Sequence, residues 1–262
     1  MRQVNKLKQI KFFRSAYFLR ECLKLFFSFK PISFVKNYFW YHKDYLKFKR
    51  ELKLNNASHN IYALYPSITD KTSSTPLDPI YFYQDCWAAE KIFKLKPSHH
   101  YDVGSAATTI GILSQYVPTT MIDIRPLPLS LPNLFFKEGS ILNLPIPENS
   151  LESISSLCVI EHIGLGRYGD PIDPIGSEKA IKELIRVTKP GGTILISVPV
   201  DSENRIFFNS HRAFTPKYIL EQFVKCKLLE EKYIFENKMI DRFTPSSKSY
   251  VVGLFMFSKE EG

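Results

Sequence analysis

The chain has 262 residues, 44% of them hydrophobic, enough for one large domain or one domain with an appendage. Its net charge of +9 is uneven: residues 1–54 hold fourteen Lys or Arg against three acids, a net of +11, which leaves −2 for the rest. No stretch reaches the roughly 18 apolar residues of a spanning helix, no cleavage site follows a hydrophobic core, and Cys22, Cys86, Cys158 and Cys226 lack the Cys-x-x-Cys spacing of zinc or redox sites. A soluble or peripheral protein in a reducing cytoplasm is expected.

Residues 1–54 form a basic, aromatic-rich arm. Phe12, Phe13, Tyr17, Leu19, Leu23, Phe26 and Phe27 recur at helical spacing, and Pro31 is expected to end that helix. A second helix is expected over 35–52, carrying Phe39, Trp40, Tyr45 and Phe48. One reading of the arm is a surface-seeking helix on anionic lipid, at the inner face of the membrane. Another is an aromatic stripe docked on the following domain, with the lysines solvated. Nucleic acid is a third reading, disfavoured because no recognition module accompanies the charge. Residues 55–80, punctuated by Pro66, Pro76 and Pro79, read as a linker or wrapping loop ahead of a domain over 81–262.

That domain opens with a helix over 81–95, whose aromatics Tyr81, Phe82, Tyr83 and Trp87 read as core or lid packing. A short strand over 101–105 then runs into the small-residue turn Gly104-Ser105-Ala106-Ala107, followed by a helix over 108–116 that Pro118 stops. A second strand, 121–124, ends on an acid. Pro126, Pro128 and Pro132 leave little room for a helix after it. A third strand is expected over 138–142 and a fourth, apolar one over 153–161, stopping at Glu161-His162. A helix over 180–188 ends in the turn Lys189-Pro190-Gly191-Gly192, before a β-branched strand at 193–198. Thr215 and Pro216 open a helix over 216–224. Strands at 228–235 and 250–257 bring the total to seven.

Alternating strands and helices build an open α/β sheet, which binds ligands beyond the carboxyl ends of its strands where strand order reverses. The Gly104 turn lets backbone approach a ligand, and the helix behind it aims amides at a carboxylate. Asp102 at the first strand end is placed to attract an ammonium group. Asp123, about 20 residues on, is placed to accept hydrogen bonds from two ribose hydroxyls.

This order resembles the class I S-adenosylmethionine-dependent methyltransferases. The resemblance implies a Rossmann-like seven-stranded sheet with helices on both faces and S-adenosylmethionine as cofactor. It puts Asp102, Gly104, Ser105, Asp123, Ile124, Ser140, Ile141 and Val159 around that cofactor. That family's glycine-rich loop usually has two more glycines, matching Ala106 and Thr108. In related small-molecule O-methyltransferases a histidine near His162 acts as base; His211 is the second candidate.

The run Gly164-Leu165-Gly166-Arg167-Tyr168-Gly169-Asp170-Pro171-Ile172-Asp173-Pro174 is dense in backbone-restricting residues. It resembles, over about 78–220, a bacterial domain family of unknown function associated with surface-polysaccharide synthesis. Glu161, Arg167, Tyr168, Asp170, Asp173 and Arg212 are the candidate acceptor contacts, with Arg212 and His211 suited to a phosphate or acidic sugar. They equally suit anchoring the loop to Asp170 or Asp173. His162, Asp170, Asp173 and His211 have metal-binding chemistry, but no local spacing gathers them and no metal is expected. The expected activity is O-methylation of a sugar, glycan or glycolipid intermediate. The alternatives are a nucleic-acid methyltransferase docked through the arm and a non-catalytic binding module. A nicotinamide oxidoreductase is disfavoured by the missing Gly-x-Gly-x-x-Gly turn.

Overall fold

The computed structural model describes residues 31–55, 61, 63–245 and 251–261. The helix expected around Phe12 to Phe27 lies outside them. The chain divides into two compact units, Met1–Pro76 and Leu77–Gly262. In the first unit, α1 spans Pro31–Leu54. Pro31 opens this helix, because proline lacks just the N–H that a first turn leaves unused. Lys71 returns onto α1, its Nζ 3.2 Å from Asp44 and 4.4 Å from the Trp40 ring centroid. No described helix is long and apolar enough to cross a membrane.

The second unit begins with α2 (Pro79–Leu95), capped by Asp78, whose side chain accepts from the Ile80 and Tyr81 amides. Next come β1 (His100–Val103), α3 (Ala107–Leu113), β2 (Thr119–Asp123), β3 (Leu134–Glu138) and β4 (Leu151–Leu157). After these follow α4 (Gly176–Val187), β5 (Thr188–Val200), β6 (Arg205–Phe207), β7 (His211–Ala213) and α5 (Pro216–Gln222). Last are β8 (Cys226–Phe235), β9 (Lys238–Ile240) and β10 (Val251–Lys259). The main sheet runs β3-β2-β1-β4-β5-β10-β8-β9, with β10 antiparallel to both its neighbours. Strand order reverses between β1 and β4, so the crevice above that pair is where such sheets bind ligands.

Burial explains the layering. In β5, Ile194, Ile196 and Val198 pack on one face with Ile181 and Leu184 of α4, while Leu195 packs on the other with Trp87 and Ile92 of α2 and Ile110 of α3. A strand buried on both faces reads as a continuous apolar run, and helices on each side supply the cover.

Four expectations shift. The third strand is Leu134–Glu138, not 138–142, because the parallel register of β2 and β3 ends at Asp123 opposite Glu138. Residues 140–143 close a turn instead. The fourth strand stops at Leu157: Cys158 takes φ +53° and leaves the ladder, so Glu161 and His162 lie on a 3₁₀ turn, Ile160–His162. The Lys189–Gly192 turn is absorbed into β5 as an irregularity, with Leu151 opposite Thr188 and Ser153 opposite Thr193. The main sheet has an eighth strand, β9, paired with β8. Its turn places Glu236 at φ +53°, a residue type that does not announce a left-handed turn in a sequence.

Candidate active site

A cavity of about 330 Å³ lies over the carboxyl ends of β1, β2 and β4. Its volume falls in the usual range for small-molecule sites. Gly104, at φ +74°, forms part of the wall; a Cβ there would sit 3.0 Å from Val159 Cγ1. Only a residue without a side chain keeps the wall open there. Ala106 offers no capping side chain to α3, so the first-turn amides beside the cavity have no side-chain acceptor.

Asp102 does not reach this wall. It is fully buried, its Oδ1 accepts the Ser105 N–H at 3.0 Å, and its Oδ2 accepts the hydroxyls of Ser105 (2.6 Å) and Ser155. The acid expected to draw an ammonium group holds the turn instead. Burial outweighs these hydrogen bonds and pushes its pKa up to about 6. Ser105 does line the cavity, and its hydroxyl also accepts the Leu157 N–H at 2.9 Å, tying the turn to β4.

Asp123, Ile124, Ser140, Ile141 and Val159 all line the cavity. Asp123 is 8% exposed, and its carboxylate accepts from the Arg125 amide (2.8 Å), Nε (3.2 Å) and Nη2 (3.2 Å). The Arg125 guanidinium also stands 5.0 Å from the Tyr168 ring centroid. Arg125, Tyr81 and Cys158 are wall residues that the sequence reading missed. Arg125 carried a signal, a cation two residues after a strand-end acid. Tyr81, delivered by α2, carried none.

Glu161 and His162 make the reactive corner. Glu161 is 1% exposed, and its Oε2 has no hydrogen-bond partner. Burial raises its pKa to about 8, which keeps it a neutral acid at pH 7. Its Oε1 lies 3.7 Å from His162 Nε2. His162 Nδ1 is 2.6 Å from the Ser210 carbonyl oxygen. A carbonyl only accepts, so Nδ1 carries the proton and Nε2 the lone pair. Burial lowers this imidazole's pKa to about 4, so it is neutral at pH 7. His162 lines the cavity; Glu161 backs it from behind the wall.

The 164–174 loop is held by its own groups. Asp170 accepts the amides of Gly164 (2.7 Å), Gly166 (3.4 Å) and Tyr168 (3.2 Å). Gly164 has φ +81°, and a Cβ on it would fall 2.0 Å from the Asp173 carbonyl oxygen. Three acceptor-site expectations change as a result. Arg212, 4% exposed, donates to the carbonyls of Ile163, Asp173 and Pro174 and to Ser177 Oγ, so it staples the loop and has no fork left for a ligand. Asp173 is spent on Lys179 Nζ (2.6 Å) and the Ile175 amide (3.0 Å). His211 is off the cavity wall, its ring stacked on Phe207 at 4.8 Å and its Nδ1 3.0 Å from Ser210 Oγ. Tyr168 and Asp170 do line the cavity, and Arg167 stands beside it on Tyr168. Among the described residues no group of three His, Cys, Asp or Glu is gathered for a metal.

Comparison with known proteins agrees with this architecture. The 4+2 cyclase SpnF superposes with a TM-score of 0.54 at 13% identity, covering 78% of this chain and 86% of its own. The fold is the Rossmann-like methyltransferase fold. The YcgJ protein of Bacillus subtilis gives 0.51 at 15% identity, over 69% of this chain and all of its own. An S-adenosylmethionine-dependent methyltransferase of Clostridium acetobutylicum gives 0.48 at 13% identity, over 74% of this chain and 97% of its own. At such identities the likeness is one of fold. A family described as "Caenorhabditis protein of unknown function, DUF268" matches residues 141–225, a third of the chain that includes the 164–174 loop. No curated protein matches the chain.

The donor set fits an adenosyl sulfonium cofactor. Asp123, besides its Arg125 contacts, would present a carboxylate to hydroxyls, Gly104 leaves space at the turn, and Ile141 with Ser140 would face a base.

Proposed function

We propose that the protein is an S-adenosylmethionine-dependent methyltransferase that methylates a hydroxyl of a sugar, glycan or glycolipid intermediate of cell-surface polysaccharide. The observation that carries this reading is the cavity at the β1/β4 switch point, with Asp123 facing into it and the Gly104 turn forming its wall. The cofactor would supply an activated methyl group. Asp123 would hold the ribose, and the Gly104–Ala107 turn the amino-acid end. Of the two candidate bases, His162 reaches the cavity and His211 does not. Its tautomer leaves Nε2 free of a proton, and Glu161 behind it holds or releases one proton next to that nitrogen. Tyr81, Tyr168 and Ile163 also line the cavity.

The polysaccharide intermediate follows from the resemblance of the 164–174 loop. The arm, residues 1–54, would bring a cytoplasmic enzyme to an anionic membrane surface, matching its net +11 charge.

One observation favours a second reading, a protein of this fold that binds the cofactor and transfers no methyl. SpnF, a cyclase, has this fold, and a fold does not dictate chemistry.

The test is calorimetric titration of S-adenosylmethionine and S-adenosylhomocysteine, beside Asp123→Ala. Micromolar binding that weakens about tenfold or more in the variant is expected, since two hydrogen bonds to a charged acceptor are lost. Transfer of labelled methyl to a cell-envelope fraction separates the two readings. Absence of binding by folded wild-type protein sinks both.

A further inference from the structure

Arg167 is exposed and stands over the ring of Tyr168, a residue of the cavity wall. Its Nη1 donates to the Ser210 carbonyl at 3.0 Å and lies 3.3 Å from His162 Nδ1. Its guanidinium carbon is 5.1 Å from the Tyr168 ring centroid, and that ring meets the His162 imidazole edge-on at 5.6 Å. Two contacts therefore aim the fork, one through the backbone and one through an aromatic face. Most of its five N–H donors remain unspent.

The acids around it are all committed. Asp170 serves three loop amides. Asp173 is paired with Lys179. Glu161 sits buried as the neutral acid. Among the described residues no carboxylate forms an ion pair with Arg167. Burial is the main cause that lowers the pKa of both His162 and His211, and the Arg167 charge lowers each further. Beside the cavity wall there thus stands an oriented cation, next to His162 and Tyr168 of that wall. A guanidinium with unspent donors and no ion pair attracts an anion. The same geometry removes the other candidate, since Arg212 is stapled to backbone carbonyls.

We propose that Arg167 is the anion-gripping residue of the acceptor site and that the acceptor is a glycosyl compound bearing a phosphate or carboxylate beside the methylated hydroxyl. The inference rests on the methyltransferase reading for the word acceptor; the anion site itself stands on the geometry. A planar guanidinium grips such groups through two parallel N–H···O bonds, a geometry a lysine ammonium does not reproduce. A bound anion offsets the Arg167 field at both imidazoles, so it raises their pKa.

The experiment uses the full chain with isotope-labelled histidine and follows the His162 and His211 imidazole signals by NMR. Three probes are added in turn, with S-adenosylhomocysteine present: glucose 1-phosphate, glucuronate and glucose. The first or second is expected to bind and to move both titrations upward, and the one that binds tells phosphate from carboxylate. Glucose is expected to do neither. Arg167→Gln is expected to lose about tenfold or more in affinity for the charged probe, and Arg167→Lys to keep only part of it. Equal binding by Arg167→Gln, or histidine titrations that no charged probe moves, overturns the proposal. A melting curve and an S-adenosylhomocysteine titration confirm that each variant is folded. If wild type does not bind S-adenosylhomocysteine, the methyltransferase reading fails, while the probe titrations without it still decide the anion site.

Discussion

Replacing Glu161 with glutamine removes a titratable group that the fold holds fully buried. The folded pKa is about 8 against an ordinary value of 4.5. Over that interval the folded state keeps a proton that the unfolded chain has released. The sign follows: the raised pKa gives stability that is complete below 4.5 and is lost as pH rises towards 8. The slope is about 1.4 kcal/mol per pH unit, so at pH 7 this one carboxyl has cost the fold about 3 kcal/mol. Three other buried groups overlap at lower pH. Asp102, raised to about 6, acts in the same direction, while His100 (about 3) and His162 (about 4), both lowered by burial from 6.5, act oppositely. Between pH 4.5 and 6 the two pairs largely offset each other. Above 6.5 both histidines are neutral in either state, and Glu161 acts alone among these four. Wild-type stability is therefore expected to fall by about 2 kcal/mol from pH 6.5 to 8, while that of Glu161→Gln stays level. Urea denaturation of both proteins at half-unit steps measures this. Parallel curves would refute the argument, because they would mean that Glu161 is ionised and solvated in the fold.

Two further substitutions probe the loop. Gly164→Ala places a Cβ where the Asp173 carbonyl oxygen stands and forces a left-handed φ on a side-chain residue. It is expected to cost about 2 kcal/mol or more and to speed limited proteolysis within 164–174; a wild-type cleavage pattern would sink the prediction. Arg212→Met takes the guanidinium donor from the carbonyls of Ile163, Asp173 and Pro174, of which Asp173 keeps the Gly176 N–H. A loss of about 3 kcal/mol is expected in urea denaturation, with Arg212→Lys recovering part of it. A change within about 0.5 kcal/mol, typical of exposed surface sites, would place this side chain in solvent.

Much of the framework was legible in the residue pattern. Strands buried on both faces, such as 193–198, show unbroken apolar runs, while helices such as 180–188 show a 3.6-residue period. Those local records of burial are enough to order a doubly wound sheet. Asp123 and Gly104 were legible for a similar reason, since strand-end position and turn chemistry are local properties. Edges were less legible. β3 lies on the rim with little burial, so its register depended on pairing with β2.

The charges at the site were decided by tertiary structure. In the sequence Arg167 and Arg212 are both arginines near a histidine, and nothing local separates them. Packing of the β6–β7 hairpin against the 164–174 loop buries Arg212 among carbonyls and leaves Arg167 on the exposed side of Ser210. Asp102 and Glu161 likewise read as ordinary strand-end acids. Their desolvation comes from strands and helices brought together from distant parts of the chain. The sequence by itself determined which segments would be buried; the tertiary structure decided which ionisable groups were buried with them, and the solvation energy of a charge depends on everything packed around it.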